Sequence, residues 1–547
     1  MSVVLTSACY PTRGSTLKEV PTDNLRRADT LALLPIRGYD NAIALQAILA
    51  RNDKSADVIL DTGRYEFHSP VYYSGNLQIR GQGAGTIVEI RESFLTLRAP
   101  KMSTSTVGTE KSRSRTSISN CLLYDPYPED SSLLILSSTE PFEEKDVEYN
   151  KIVSFSSANS NSLSDGKQAI RELCFRKPLT VERYAYRTFD ISNLTVSGGE
   201  SLYLISATAY SDSKIEKIDF VLPTTRPRGK ATRNSSRIAG TSAIALYSCS
   251  NVGILGCHFE NCWYGVLAHK GCYRVEIREC KAIGCRHINN FALGSYQSLI
   301  ENSTAVSCYG GFDSHQTALS SAYINCVDSL SDYPSKFRGR YDSITMSKFD
   351  GGIEMYYDSH IIDISDRVKV GKLLHSSYVV GSGIKLSGPN ISVSSCTLEA
   401  PVETSRLHGS LNIHNSKFLW SPLTPKKFSA ALIIGSSYSL EGASSIMVSN
   451  CLFDGVTYES TSPTIGIYMQ GSFASESLIH NCAISNFTTG LVMYGGVKAS
   501  EGYDHLVLDS IRFKNCLTGI LEDSARKDFR HRSLAFLGCQ TNWKKLL

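Results

Sequence analysis

One short pattern returns along most of this 547-residue chain, and it limits the possible folds more than any other feature. It runs apolar, two residues, a small Cys or Ser, one residue, apolar. Examples are Ile254-Leu-Gly-Cys257-His-Phe259, Ile277-Arg-Glu-Cys280-Lys-Ala282, Ile300-Glu-Asn-Ser303-Thr-Ala305 and Ile344-Thr-Met-Ser347-Lys-Phe349. Later copies are Val393-Ser-Ser-Cys396-Thr-Leu398, Ile413-His-Asn-Ser416-Lys-Phe418, Val448-Ser-Asn-Cys451-Leu-Phe453 and Ile479-His-Asn-Cys482-Ala-Ile484. From Cys257 to Cys280, Ser303 and Cys326 the step is 23 residues each time; later steps lengthen, as loops between turns allow. Each apolar pair fits a short strand with alternating faces, and the small residue fits inside a bend. One such unit cannot bury its own apolar face, so successive units must stack. A period of about 20–25 residues with strand patterning and no helical periodicity predicts a parallel β-helix. A leucine-rich repeat has a similar period, but its Leu and Asn signature is absent.

The cysteines fit the same picture. There are 16, with no Cys-x-x-Cys pairs at zinc-ribbon spacing, and most stand alone in short apolar stretches, where a thiol behaves as a small buried hydrophobe. They are expected to form an internal ladder, one above another from coil to coil. So many unpaired thiols point to assembly in a reducing cytoplasm. Val3-Val4-Leu5 is too short for a signal-peptide core, and no apolar run approaches a membrane span. A net charge of +4, from 56 basic and 52 acidic groups, argues against a nucleic-acid footprint over the whole chain. No metal constellation is present: no HExxH, no Asp-rich calcium loop. No cofactor is expected.

Near the N-terminus, residues 39–49 form one amphipathic helical pattern that Asp40 or Asn41 can cap. A helix there would cover the open end of the solenoid and its unpaired edges. The segments Val58 to Tyr65 and Leu77 to Gly83 follow as strand–turn–strand units. At these residues the sequence resembles the start of pectate-lyase-like β-helices in bacteriophage tailspikes. Ile152 to Thr180 and Phe189 to Val196 look like the following coils. The resemblance implies a right-handed parallel β-helix, all-β apart from the capping helix. It gives 1–35 as a short attachment segment, 36–60 as the capping-helix segment and 61–540 as the solenoid with loop insertions. It also implies a homotrimer in the virion, attached to the phage tail or another spike through its N-terminus. Its partner would be a bacterial capsular or O-antigen polysaccharide that it binds or cleaves. Membrane insertion and nucleic-acid binding are not implied. The Asn-Thr-Asp, Asp-Asp and Gly-His-Gly motifs of polygalacturonases and the Arg-x-Pro-x-x-Arg run of calcium pectate lyases are absent.

Polar side chains concentrate between residues 310 and 360. Asp313 and His315 are two apart on one strand face. About one coil later come Arg338, Arg340 and Asp342, expected on one face, and one coil further Tyr357 together with Glu354, Tyr356 and Asp358, which alternate outward. Asp-x-His followed by Phe-Arg-x-Arg also looks like a recurrent pattern in phage β-helix proteins, matched here by Asp313, His315, Arg338 and Arg340. The expected reaction is hydrolysis of a glycosidic bond, which takes two carboxyl groups, and Asp313, Glu354 and Asp358 are the pool. The arginines would hold an acidic sugar, and Tyr356 or Tyr357 would stack on a ring. The same cluster also suits a lyase, with Arg338 or Arg340 neutralising a uronate and His315 or Tyr356 taking the proton. Binding without cleavage, or a plain solvated face, is the alternative. Trp263, Tyr264 and Tyr309 are of the sugar-stacking type, but such rings in a solenoid are mostly packing residues. The basic run Arg226-Pro-Arg228-Gly-Lys230, with Arg233 and Arg237, fits a solvated loop better than a contact for an anionic polymer.

Overall fold

The structure is a computed structural model. It describes residues 33–107, 132–141, 150–156, 179–223, 240–315, 318–339, 342–355, 372–380, 383–388, 390–399, 401–407, 410–420, 430–435, 445–455, 464–470, 477–494, 505–523 and 530–546. The attachment segment 1–35, the basic run, Arg340, Tyr356, Tyr357 and Asp358 thus lie wholly or almost wholly outside the described residues. The fold is a right-handed parallel β-helix, the hand that parallel crossovers nearly always take. Two compact units divide it, one of Met1–Glu140 with Asn150–Asn290, the other chiefly Phe291–Leu547.

In the first unit a helix occupies Asn41–Arg51, and the Asp40 side chain accepts from the Ala42 N–H as its N-cap. Asn41 is fully buried, and its side-chain amide bonds both the N–H and the carbonyl of Leu34, tying the incoming chain down. Strand Ser55–Ile59 already begins the sheet, pairing in parallel with Asn76–Arg80, so the helix is shorter than the 36–60 segment that carries it. The described ends of the stretch 152–180, residues 152–156 and 179–180, depart from the expected coils. Lys101–Val107, Leu179–Ala185, Ser132–Pro141 and Asn150–Ser156 lie side by side in a separate four-stranded sheet, with antiparallel pairs on both sides of Leu179–Ala185. The excursion starts at Pro100, which has no N–H to give a ladder, and closes where the Ala185 N–H donates to the Pro100 carbonyl.

In the second unit each coil has two faces. The bent face carries a pair of short strands, such as Leu299–Glu301 and Thr304–Val306. The flat face carries one strand per coil, beginning with Asp313–Ser314, Ser335–Phe337 and Ile353–Met355. All pairings between coils are parallel, and inward positions stack in rows. One row of the bent face runs Ile300, Tyr323, Ile344, Leu374, Val393, Ile413, and each of these side chains is at most 1% exposed. Each buried side chain of this size contributes about 1.5–3 kcal/mol, but only with a coil above or below to bury it.

The recurrent Cys or Ser has a specific job at the bend. The residue before it takes a left-handed conformation: φ is 50° at Asn302, 51° at Asn325, 50° at Met346 and 54° at Asn450. Asn tolerates that region better than most residues, and stacked copies bond each other, as Asn325 Nδ2 does to Asn302 Oδ1 at 2.8 Å. The next side chain points inward and donates to the carbonyl two residues back, as Ser303 Oγ does to Glu301 O at 2.9 Å and Cys326 Sγ to Ile324 O at 3.5 Å. It also accepts from the neighbouring coil: Cys326 N–H donates to Ser347 Oγ at 3.0 Å. Thiol and hydroxyl interchange there because each is small and both donates and accepts. Of the 13 cysteines among the described residues, 12 are buried, and all 13 are free thiols. Burial pushes the thiols of Cys249 and Cys326 up to about 12 and that of Cys396 up to about 11.

Candidate functional site

The site grows from two buried aromatic anchors in the second unit. Phe312 and Phe337 are fully buried, and each packs edge-on to Tyr323, at 5.9 and 4.6 Å between ring centroids. Asp313 follows the first anchor and Arg338 the second, so the core fixes where both backbones emerge. Ser314 turns inward, where its Oγ donates to Asp342 Oδ2 at 2.8 Å. Asp313 therefore takes the outer row of the flat face, directly beside Lys336 of the next coil, which in turn pairs with Glu354. The row continues through Lys385 to Glu403, alternating in sign from rung to rung.

Asp313, His315 and Arg338 meet. Arg338 Nη2 donates to Asp313 Oδ1 at 2.9 Å, and His315 Nε2 lies 3.1 Å from Asp313 Oδ2. The same Nε2 is 3.3 Å from Arg338 Nη2. Side-chain exposure is 3% for Asp313, 19% for Arg338 and 39% for His315, so the carboxylate lies beneath the other two. His315 Nε2 has two mutually exclusive roles here. Carrying hydrogen, it donates to Asp313 and leaves Nδ1 as the basic nitrogen; bare, it accepts from Arg338. A proton taken up at Nδ1 is matched by the carboxylate on the other side of the ring.

Glu354 stands on the same outer row, two rungs from Asp313, which places their backbones roughly 10 Å apart at about 4.8 Å per rung. It is flanked by cations: Lys385 Nζ at 3.4 Å and Lys336 Nζ at 4.0 Å. Asp342 does not share a face with Arg338. Strand Ser335–Phe337 ends before it, the chain bends at Gly339, and Asp342 lies fully buried. A Cβ on Gly339 would come within 2.6 Å of Asp342 Oδ1, so only glycine leaves room for that carboxylate.

Sequence reasoning missed two things. Lys336 and Lys385, the partners of Glu354, carry no motif and show only through the register. Asp328 is a second fully buried carboxylate; it replaces an apolar residue in the inward row between Ala305 and Phe349. It accepts from Ser335 Oγ at 2.6 Å, from Gly311 N–H at 3.0 Å and from Ser331 Oγ. Desolvation raises its pKa above the ordinary carboxylate value, against those three hydrogen bonds. Among the described residues no group of three or more His, Cys, Asp or Glu side chains is placed to hold a metal ion, and no helix is long and apolar enough to cross a membrane.

No family model matches the chain, and no curated protein does. Several solved structures are similar to it. The tailspike gp49 of Pseudomonas phage LKA1 is 11% identical at a TM-score of 0.43, over 86% of this chain and 77% of that one. The gp54 tailspike of Acinetobacter baumannii bacteriophage AP22, solved with an A. baumannii capsular saccharide, is 10% identical at a TM-score of 0.48, over 88% and 75%. A GH87 α-1,3-glucanase catalytic unit from Streptomyces thermodiastaticus is 10% identical at a TM-score of 0.34, over 93% and 68%. At identities this low the likeness is one of fold.

Proposed function

We propose that this protein is a tailspike-type depolymerase that binds a bacterial capsular or O-antigen polysaccharide along the outer flat face of its second unit and cleaves it. In that role it would be a homotrimer in the phage virion, attached to the tail or another spike through its N-terminus. The observation that carries the enzymatic reading is an exposed histidine and an arginine set on one buried carboxylate, Asp313. A solvated face does not need a charge buried beneath it.

The arrangement suits β-elimination best. His315 Nδ1 takes the C5 proton of a uronate, the electron pair forms the C4–C5 double bond, and the C4–oxygen bond breaks. The departing oxygen then takes its proton from water. Arg338 adds the positive charge that makes the C5 proton acidic, and Asp313 orients and supports the imidazole. Asp313 itself is too deeply covered to reach a sugar. Hydrolysis is the second reading: Glu354, on the same outer row, is the more exposed carboxylate, at 17% against 3% for Asp313, and would work with Asp358 as the second carboxyl group. Arg340, Tyr356, Tyr357 and Asp358 complete the proposed site as sugar contacts and a further carboxylate.

The test uses purified capsular and O-antigen polysaccharides and the variant His315→Gln. Cleavage should fall by about 10²–10⁴ while polysaccharide binding persists. Elimination leaves an ultraviolet-absorbing unsaturated uronate at the new end; hydrolysis leaves a new reducing end without it. Cleavage by His315→Gln at the wild-type rate would remove His315 from the chemistry.

A further inference from the structure

The same two coils carry a pair of stacked tyrosines that the proposed chemistry does not use. Tyr309 and Tyr333 belong to successive coils, and the Tyr333 N–H donates to the Tyr309 carbonyl at 2.7 Å. Their rings stack at 4.2 Å between centroids, tilted by 30°. Tyr333 is 45% exposed, unusual for a ring held this closely by a neighbour. Tyr309 covers one side of it. In the next coil the chain over Tyr333 is Gly351–Gly352: a Cβ on Gly351 would lie 3.1 Å from the Tyr333 carbonyl oxygen, and the Ser335 N–H donates to the Gly352 carbonyl. Among the described residues the stack of rings thus stops at Tyr333, and Gly351 and Gly352, which lie over it in the next coil, bring no side chain there.

Position gives this shelf a role. Tyr309 lies four residues before Asp313, and Tyr333 three before Lys336, on the same two coils and leading into the same face. Residues 309–311 and 332–333 are bends that lead into those strands, so the rings stand at the turn into the face, no more than about 10–13 Å from the charged row at about 3.3 Å per residue at most. A polymer lying across that row and over the turn beside it would meet Tyr333 on one side of His315 and Arg338. A pyranose has one face rich in C–H groups and an edge of hydroxyls, which suits a half-exposed ring with a phenol at its rim.

We propose that Tyr333, backed by Tyr309, is a stacking subsite for a pyranose ring of the bound polysaccharide, one step away from the cleavage position. This rests on the depolymerase reading and deepens it. The subsite takes its ring by shape and C–H contact, so it holds neutral sugars as well as acidic ones; charge selection is left to Arg338.

The experiment measures binding of the full-length protein to an array of purified bacterial capsular and O-antigen polysaccharides, in a His315→Gln background that slows cleavage. Tyr333→Ala should weaken binding to the polysaccharide recognised by the parent about tenfold, whereas Tyr333→Phe and Tyr333→Trp, which keep a flat face, should stay within about threefold of the parent. Unfolding temperature should not move, since Tyr333 is largely outside the core. Equal binding by Tyr333→Ala and the parent would overturn the subsite and leave the depolymerase reading standing. Failure of both wild type and parent to bind any polysaccharide would overturn both. A change in oligomeric mass on Tyr333→Ala would assign the ring to a subunit contact and overturn the subsite. An equal loss in Tyr333→Phe would also overturn it, because the hydroxyl and not the face would then carry the contact.

Discussion

Replacing Arg338 by Met tests the buried pair beneath the site. The methionine keeps the stem of the side chain and removes its charge. Asp313, at 3% exposure, then keeps His315 Nε2 as its neighbour at 3.1 Å and loses the guanidinium at 2.9 Å. Breaking a buried pair by removing one partner costs about 3–5 kcal/mol, because the remaining charge stays out of water. Arg338 is itself 19% exposed and the histidine still faces the carboxylate, so the lower end, about 3 kcal/mol, applies here. A long solenoid does not melt as one two-state unit, and a melting temperature would dilute the effect. Hydrogen exchange reads it locally. The amides to follow are His315 N–H, bonded to Phe291 O at 2.8 Å, Lys336 N–H, bonded to Phe312 O at 2.9 Å, and Arg338 N–H, bonded to Ser314 O at 3.0 Å. At about 1.4 kcal/mol per factor of ten, their protection should drop roughly a hundredfold in Arg338→Met. Removing both charges, in Asp313→Asn with Arg338→Met, should restore much of it, because the carboxylate's charge is removed together with the guanidinium's. Exchange in Arg338→Met within threefold of wild type would show that Asp313 is solvated, and the description of the site as a covered carboxylate would fail.

Two further outcomes follow from the interior. The 12 buried thiols should resist a water-soluble thiol reagent in the native protein and react once it is denatured; burial holds Cys249, Cys326 and Cys396 in the protonated form, with pKa values of about 11–12. Fast native labelling at Cys326 or Cys482, located by peptide mapping, would place the ladder outside the lumen. Asp328 gives a pH signature. Its folded pKa is raised, so between the unfolded value of about 3.9 and the folded one the native state holds more protons, and stability falls as pH rises through that window. Asp328→Asn lacks this component, so its stability relative to wild type should improve on going from acid to neutral pH; a difference independent of pH would refute the assignment.

What could be read from the sequence depended on whether the coil length stayed constant. Between Phe312 and Phe337 it does: Asp313 to Lys336 is 23 residues, the same step as Cys257 to Cys280, and His315 to Arg338 is 23 as well. Constant spacing is why Asp313, His315 and Arg338 were legible as one cluster and why the structure brings them together. Beyond that point loops alter the step. Lys336 to Glu354 is 18 residues and Glu354 to Lys385 is 31, so no fixed period shows that the glutamate lies between two lysines. Face assignment failed for a related reason. Alternation by two holds along a strand, but Asp342 lies past the bend at Gly339, where the chain turns and the carboxylate goes inward to Ser314. The four-stranded insertion has neither cue: its strands pair with one another, partly antiparallel, and owe nothing to the solenoid's repeat. The buried Asp328 is a departure of another kind, a charged residue in a row that patterning marks as apolar. It is tolerated because Gly311, Ser331 and Ser335 provide three donors, none from its own strand and one, Gly311, from the preceding coil. Periodicity therefore finds the scaffold and the residues that ride on it in register, whereas the environment of each charge depends on contacts between coils whose offsets the sequence does not hold constant.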